Sequence, residues 1–205
     1  LTNLPLIVVN THAHSDHSGG NYRFSQIYIH PKDLEIAGSL SEKERLVSTA
    51  KSFSDSDPAY AKLIDSYFDH YEQPKLIPID EGYTFDLGER KLEVIYVPGH
   101  TPGSICLIDK KDKLLFTGDN NNSHVWLFLD NSEPVETYLN SLNHLLTYKQ
   151  DFNKLFLGHG EPIGSDFLDE INTCCQNILN GKCEAIEYKN NFDNRALQCT
   201  YKRAI

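Results

Sequence analysis

The sequence predicts a layered α/β fold, and three observations carry that reading. Short runs rich in Ile, Val, Leu, Phe and Tyr recur along the chain, and segments with helical apolar spacing lie between them. Gly, Pro, Asp or Asn bounds each run, as strand ends require. The histidines and aspartates best suited to chemistry sit just past these runs, where loops can converge them on one point.

Seven strands are expected in order: Leu6 to Asn10, Gln26 to His30, Leu76 to Ile79, Leu92 to Val97, Ser104 to Asp109, Lys113 to Thr117 and Lys154 to Leu157. Asp109-Lys110-Lys111-Asp112 is a hairpin turn between two of them. Val135, Leu139, Leu142 and Leu146 step by four, three and four, which makes one helix face. Phe167, Ile171, Cys174, Cys175 and Ile178 make another, with Gly181 as its stop and the two cysteines as core filler. The stretch 38–74 is polar and strandless, with a Ser41/Glu44 capping box and an Asp57-Pro58 helix start. It reads as a helical insertion that shapes the pocket, with Tyr60, Tyr67, Phe68 and Tyr71 as wall candidates whose first role is packing.

Composition sets the limits. A chain of 205 residues with 40% hydrophobic content suits a single domain, 1–205, with one insertion, and is not disordered. No apolar run approaches the ~20 residues of a membrane span. A net charge of −10 opposes nucleic-acid and anionic-membrane binding, which rest on clustered Lys and Arg. The partner is instead a small-molecule substrate. Five cysteines with no C-x-x-C spacing point to a reduced, cytoplasmic chain. There is no Met, and the chain opens directly in the run Leu4 to Val9, so an N-terminal part is expected to be absent.

The histidines decide the chemistry. Thr11-His12-Ala13-His14-Ser15-Asp16-His17 follows the first strand and packs four ligand-type side chains into six residues. Alternate residues of extended chain point the same way, so His12 and His14 can share one metal. Asp16 and His17, past the bend into the next helix, can reach a second. Imidazole with carboxylate suits zinc, with iron or manganese as substitutes. His100, Asp119 and His159 stand at equivalent places after later strands, each beside a glycine. His30, His70, His124 and His144 are read as structural or surface residues.

With its H-x-H-x-D-H, G-H-T-P-G-S, T-G-D and G-H-G segments in this order, the chain resembles the metallo-β-lactamase superfamily from Ile7 to about Asn180. The resemblance implies a four-layer αβ/βα sandwich with a dinuclear metal site along its strand ends. It also implies a division of ligands. His12, His14 and His100 would hold one metal, Asp16, His17 and His159 the other, and Asp119 would bind both. Members carry several strands before the first motif, so the N-terminal strands are expected to be missing. The resulting open sheet edge should then drive association into a homo-oligomer.

An aspartate at position 119 places the chain nearer the glyoxalase II-like branch than the true β-lactamases, which have none there. The expected function is metal-dependent hydrolysis of a small ester, thioester or lactone. Hydroxide shared by two zinc ions would attack, and Asp16 and Asp119 would be the catalytic carboxylates. Alternatives are a phosphodiester hydrolase, an enzyme resembling the single-iron persulfide dioxygenases, or a truncated, non-catalytic metal-binding protein. The stretch after Asp119 lacks the basic, glycine-rich pattern with which glyoxalase II binds glutathione, so no named substrate follows.

Overall fold

The computed structural model describes residues 4–37 and 74–182. They fall into two compact units, Leu1–Ile79 and Asp80–Ile205. The helical insertion with its capping box, its aromatic residues and His70, and Cys183 and Cys199, lie outside the described residues, apart from Pro74 at the insertion's end.

In the first unit, α1 (Ser15–Ser18) is a single turn capped by His14. β1 (Gln26–Ile29) buries Ile27 and Ile29 completely, the two-residue period of a half-buried strand. A 3₁₀ turn, Pro31–Asp33, leads into α2 (Leu34–Ala37). β2 (Lys75–Pro78) pairs with β1 in parallel, from Gln26 opposite Lys75 to Ile29 opposite Pro78. The opening run departs from expectation. It forms no strand, only one parallel bridge of Val9 to Tyr28, closed by Tyr28 N donating to Val8 O and Asn10 N to Tyr28 O, both 2.9 Å. Leu4, Leu6 and Ile7 stay exposed, and Pro5 has no N–H to give a ladder, so pairing begins only at Val8.

The second unit is a six-stranded sheet whose strands lie side by side in chain order. They are β3 (Thr84–Asp86), β4 (Lys91–Tyr96), β5 (Ile105–Asp109), β6 (Leu114–Gly118), β7 (Lys154–Leu157) and β8 (Ile163–Gly164). All neighbours are antiparallel except β6 and β7. That parallel pair needs a crossover, which α3 (Val135–Leu146) supplies between them. α4 (Phe167–Leu179) follows the last strand. The strands expected within this unit are all present within a residue or so. β3 and β8 were not anticipated, because three and two residues are too short to show a period.

The β5–β6 hairpin is closed as expected. Asp109 Oδ1 accepts from the backbone N of Lys111 and of Asp112 at 3.1 Å each, and Lys113 takes a left-handed φ of 56°. The other oxygen of this buried carboxylate pairs with Arg90 Nε at 2.7 Å.

The core joins Ile95, Val97, Cys106, Ile108, Leu115 and Leu155 of the sheet to Tyr138, Leu142, Leu145, Leu168 and Cys175 of the helices. Each helix keeps part of the expected stripe in the core, Leu142 on α3 and Cys175 on α4, and adds neighbouring residues to it. Tyr138, Leu142 and Leu145 are buried on α3, while Val135, Leu139 and Leu146 flank them, half-buried. On α4 the line is Leu168, Asn172 and Cys175. Asn172 belongs there because its Nδ2 donates to Asn143 Oδ1 at 2.8 Å, tying α4 to α3. Among the described residues Cys106, Cys174 and Cys175 form no disulfide, and burial pushes the Cys106 thiol far up, so it stays protonated as filler. Gly181 ends α4 with φ 64°, while Lys182 N bonds to Asn177 O and Gly181 N to Ile178 O.

Candidate metal centre

The ligand-type side chains of the first unit come from one loop. His12 and His14 are buried and each offers a ring nitrogen within 4.8 Å of the other, the alternation expected of extended chain. The chain then turns into α1, with His17 N and Ser18 N both bonding to His14 O at 3.0 and 2.9 Å. That turn folds His17 back until its ring lies 4.2 Å from that of His12, and places Asp16 Oδ2 3.4 Å from His17 Nε2.

Three bonds from outside the motif hold this loop. Asp33, wholly buried, accepts from Ala13 N at 2.9 Å, directly between the two buried histidines. Asn10 Nδ2 donates to His17 O at 3.1 Å, and Asn21 Nδ2 donates to Asn10 Oδ1 at 2.7 Å. Thr11 Oγ1 lies 3.3 Å from His12 Nδ1. His30, read as structural, accepts from Lys32 N through Nδ1 at 3.2 Å and so caps the turn that carries Asp33.

The second unit gathers His100, Asp119 and His159 from the ends of β4, β6 and β7. Asp119 Oδ2 lies 3.6 Å from His100 Nε2 and 3.4 Å from His159 Nε2, so one carboxylate oxygen faces both imidazoles. His100 Nδ1 lies 2.8 Å from the carbonyl oxygen of Trp126. A carbonyl only accepts, so Nδ1 carries the proton and the lone pair of a neutral ring sits on Nε2. That lone pair then faces a carboxylate oxygen, an arrangement that a shared cation stabilises and a proton-free gap does not. The donor set of imidazole and carboxylate therefore fits a divalent ion.

Backbone contacts fix these three loops. Asn120 Oδ1 accepts from His100 N at 3.0 Å, and Asn122 Oδ1 accepts from His159 N at 3.1 Å. Tyr138 donates its hydroxyl to Asn120 O at 2.6 Å and accepts from Asn121 Nδ2 at 3.3 Å. Burial holds the Tyr138 phenol well above its usual range, so it remains a donor. Gly99 is required by close approach, because a Cβ there would stand 2.5 Å from Tyr138 Cδ2 and 2.8 Å from Asn120 Oδ1. Ser141 Oγ donates to Pro98 O at 2.6 Å and Ser132 Oγ to His100 O at 3.0 Å. Thr101 and Ser104 pair through their hydroxyls at 2.9 Å.

The model of the metallo-beta-lactamase superfamily matches residues 5–159. The chain belongs to the metallo-β-lactamase superfamily. It is similar to the acyl-coenzyme A thioesterase MBLAC2 of Homo sapiens, 37% identical over 115 residues, covering 56% of this chain and 41% of that protein. The Gallus gallus form of the same thioesterase is 31% identical over 174 residues, covering 80% and 60%. A hydroxyacylglutathione hydrolase of Maricaulis maris is 28% identical over 54% of this chain and 31% of its own length. The chain thus spans about two fifths to three fifths of the thioesterase relatives. Among solved structures, a metallo-beta-lactamase from Pontibacter korlensis superposes with a TM-score of 0.60 at 17% identity, covering 86% of this chain and 73% of its own. The di-iron-bound form of TTHA1623 does so with 0.55 at 23%, covering 82% and 77%. These likenesses establish the superfamily's α/β fold, as the motifs implied.

All seven expected ligands lie among the described residues, His12, His14, Asp16 and His17 in the first unit and His100, Asp119 and His159 in the second. His124 is exposed, and His144 pairs with Glu81 at 3.0 Å on the surface. Sequence reasoning missed Asp33, Asn120, Asn122, Tyr138 and the Trp126 carbonyl. No helix among the described residues is long and apolar enough to cross a membrane.

Proposed function

We propose that the chain is the metal-binding part of a dinuclear hydrolase that cleaves small thioesters. The observation that carries this reading is the single Asp119 oxygen facing both His100 and His159. Two of the relatives are named for hydrolysis of acyl-coenzyme A and of hydroxyacylglutathione, which favours a thioester over a phosphodiester or a β-lactam. In this reading His12, His14 and His100 would hold one ion, Asp16, His17 and His159 would hold a second, and Asp119 would be shared between them. The ions are zinc, with iron or manganese able to serve in the same donors.

When bound, the ions supply hydroxide at neutral pH and polarise the scissile carbonyl. The protein's own residues do the rest. The Trp126 carbonyl keeps the Nδ1 proton on His100, so that Nε2 is free to donate its lone pair. Asp33 fixes the backbone between His12 and His14 by accepting from Ala13 N. Asp16, about half exposed beside His17, would relay a proton between the site and solvent through its carboxylate.

Metal analysis of protein purified without added metal, with turnover of acyl-coenzyme A thioesters, tests the proposal. About two divalent ions per chain and thioester cleavage are expected. Asp119→Ala should cost more than the roughly hundredfold typical of a residue behind a ligand. One tightly held iron, or near-normal turnover in Asp119→Ala, would overturn it.

A further inference from the structure

Ser132 Oγ stands between two carbonyls that both border His100. It donates to His100 O at 3.0 Å and to Trp126 O at 3.3 Å, one hydroxyl proton shared in a three-centre bond. Trp126 O also accepts from His100 Nδ1 at 2.8 Å, so its two lone pairs take the ring and the serine. Ser132 therefore ties the main chain of His100 to the carbonyl that its own ring uses. Two backbone bonds bring the serine there, Ser132 N to Leu129 O at 2.9 Å and Glu133 N to Gly99 O at 2.8 Å. Packing of Val125 and Leu127 against the core fixes the path of the chain at 126, but not the tilt of its peptide plane. A hydrogen bond to the carbonyl oxygen does fix that tilt.

The two edges of His100 compete for one proton. Asp119 Oδ2 lies 3.6 Å from Nε2, and a carboxylate on that side draws the proton toward it. Trp126 O holds it on Nδ1 instead, because 2.8 Å is a hydrogen bond and 3.6 Å is not. Were the Trp126 carbonyl to swing away, a small closing of the Asp119 contact would move the proton to Nε2. The lone pair offered to a metal would then be lost. We propose that Ser132 is a positioning residue for the metal centre, holding the Trp126 carbonyl on Nδ1 and so keeping the His100 lone pair on Nε2. Its value to hydrolysis rests on the dinuclear reading above, whereas the tautomer is a property of the metal-free ring.

Long-range proton–nitrogen NMR spectra of the full metal-free chain, isotope-labelled at histidine and held at mildly alkaline pH, distinguish the two neutral tautomers. In the wild type, His100 should carry a proton on Nδ1 that exchanges slowly with water. Ser132→Ala should speed that exchange roughly tenfold and raise the share of the Nε2–H form. Ser132→Thr keeps a hydroxyl and should restore the wild-type signal. Zinc held in competition with a chelator should follow the same order, weaker by roughly tenfold or more in Ser132→Ala. An unchanged Nδ1 proton in Ser132→Ala would overturn the proposal even if the melting temperature fell, because a merely structural serine moves stability alone. A wild-type ring protonated on Nε2 would overturn it without any variant. A protected Nδ1 proton that is lost in Ser132→Ala, in a chain that takes up no zinc, would uphold the positioning role and remove the dinuclear hydrolase.

Discussion

The first unit presents four ligand-type side chains from His12 to His17, one uninterrupted loop, whereas the second collects His100, Asp119 and His159 from the ends of three strands. In the first, the backbone itself does most of the aiming. His14 O closes α1 and so swings His17 toward His12. In the second, no local geometry relates the three residues. Their positions depend on the β4, β6 and β7 register and on side chains that reach across loops, such as Asn120 to His100 N and Asn122 to His159 N. A group built from one loop should lose function ligand by ligand. A group built from three loops should lose several ligands at once when one brace fails.

The largest effect that sharpens this contrast is at Asp119, whose one oxygen faces two imidazoles. Its replacement by alanine should lower turnover by more than the roughly hundredfold set for a residue behind a ligand, and lower metal stoichiometry as well. Next is Gly99→Ala. The added Cβ meets the Tyr138 ring and Asn120 Oδ1, so the loop must move, at about 1–3 kcal/mol of overpacking. Thermal melting and competition with a metal chelator should both register it. If melting falls while chelator resistance holds, the His100 loop does not depend on that seat.

The motif in the first unit was legible because its ligands are adjacent in the chain and follow a run that pairs with β1. Its supports were not. Asp33 reaches a backbone N–H twenty residues away, and nothing in its neighbourhood distinguishes it from a surface aspartate. The three second-unit ligands were legible only as a set, through the glycines beside them and through family resemblance. Asn120, Asn122 and the Trp126 carbonyl act on backbone or through backbone, where residue type carries little signal. The strand run Leu6 to Asn10 shows the converse failure. Its apolar composition is genuine, but Val9 finds a single partner and Leu4, Leu6 and Ile7 remain exposed. The two helix faces are wider than the expected stripes because Tyr138 and Asn172 take buried places that a hydrophobicity pattern discounts.

A third, smaller effect tests the local group. Asp33→Ala leaves Ala13 N without its buried acceptor, which costs about 1–3 kcal/mol. The two histidines flanking Ala13 should then hold metal roughly tenfold or more less tightly. Asp33→Asn retains an acceptor oxygen and should restore most of that affinity. With cobalt bound in place of the native ion, the visible spectrum should change in Asp33→Ala and return in Asp33→Asn. An unchanged spectrum in Asp33→Ala would mean that the loop from His12 to His17 aims itself without help.

The smallest effect is expected from Tyr138→Phe, and it separates two roles that the residue combines. The ring fills the space beneath Gly99, while the hydroxyl donates to Asn120 O and accepts from Asn121 Nδ2. Phenylalanine keeps the ring, so the steric seat of the His100 loop is preserved. It removes the donor from a buried carbonyl, a loss of about 1–2 kcal/mol. Each kcal/mol lowers the melting point by about 2–4 °C in a chain of this size. Asn120 Oδ1 still accepts from His100 N, so chelator resistance should fall less than in Gly99→Ala. If the two variants instead lose metal equally, the hydroxyl positions His100, and the long-range brace of the second unit is a hydrogen-bond network rather than a packed seat.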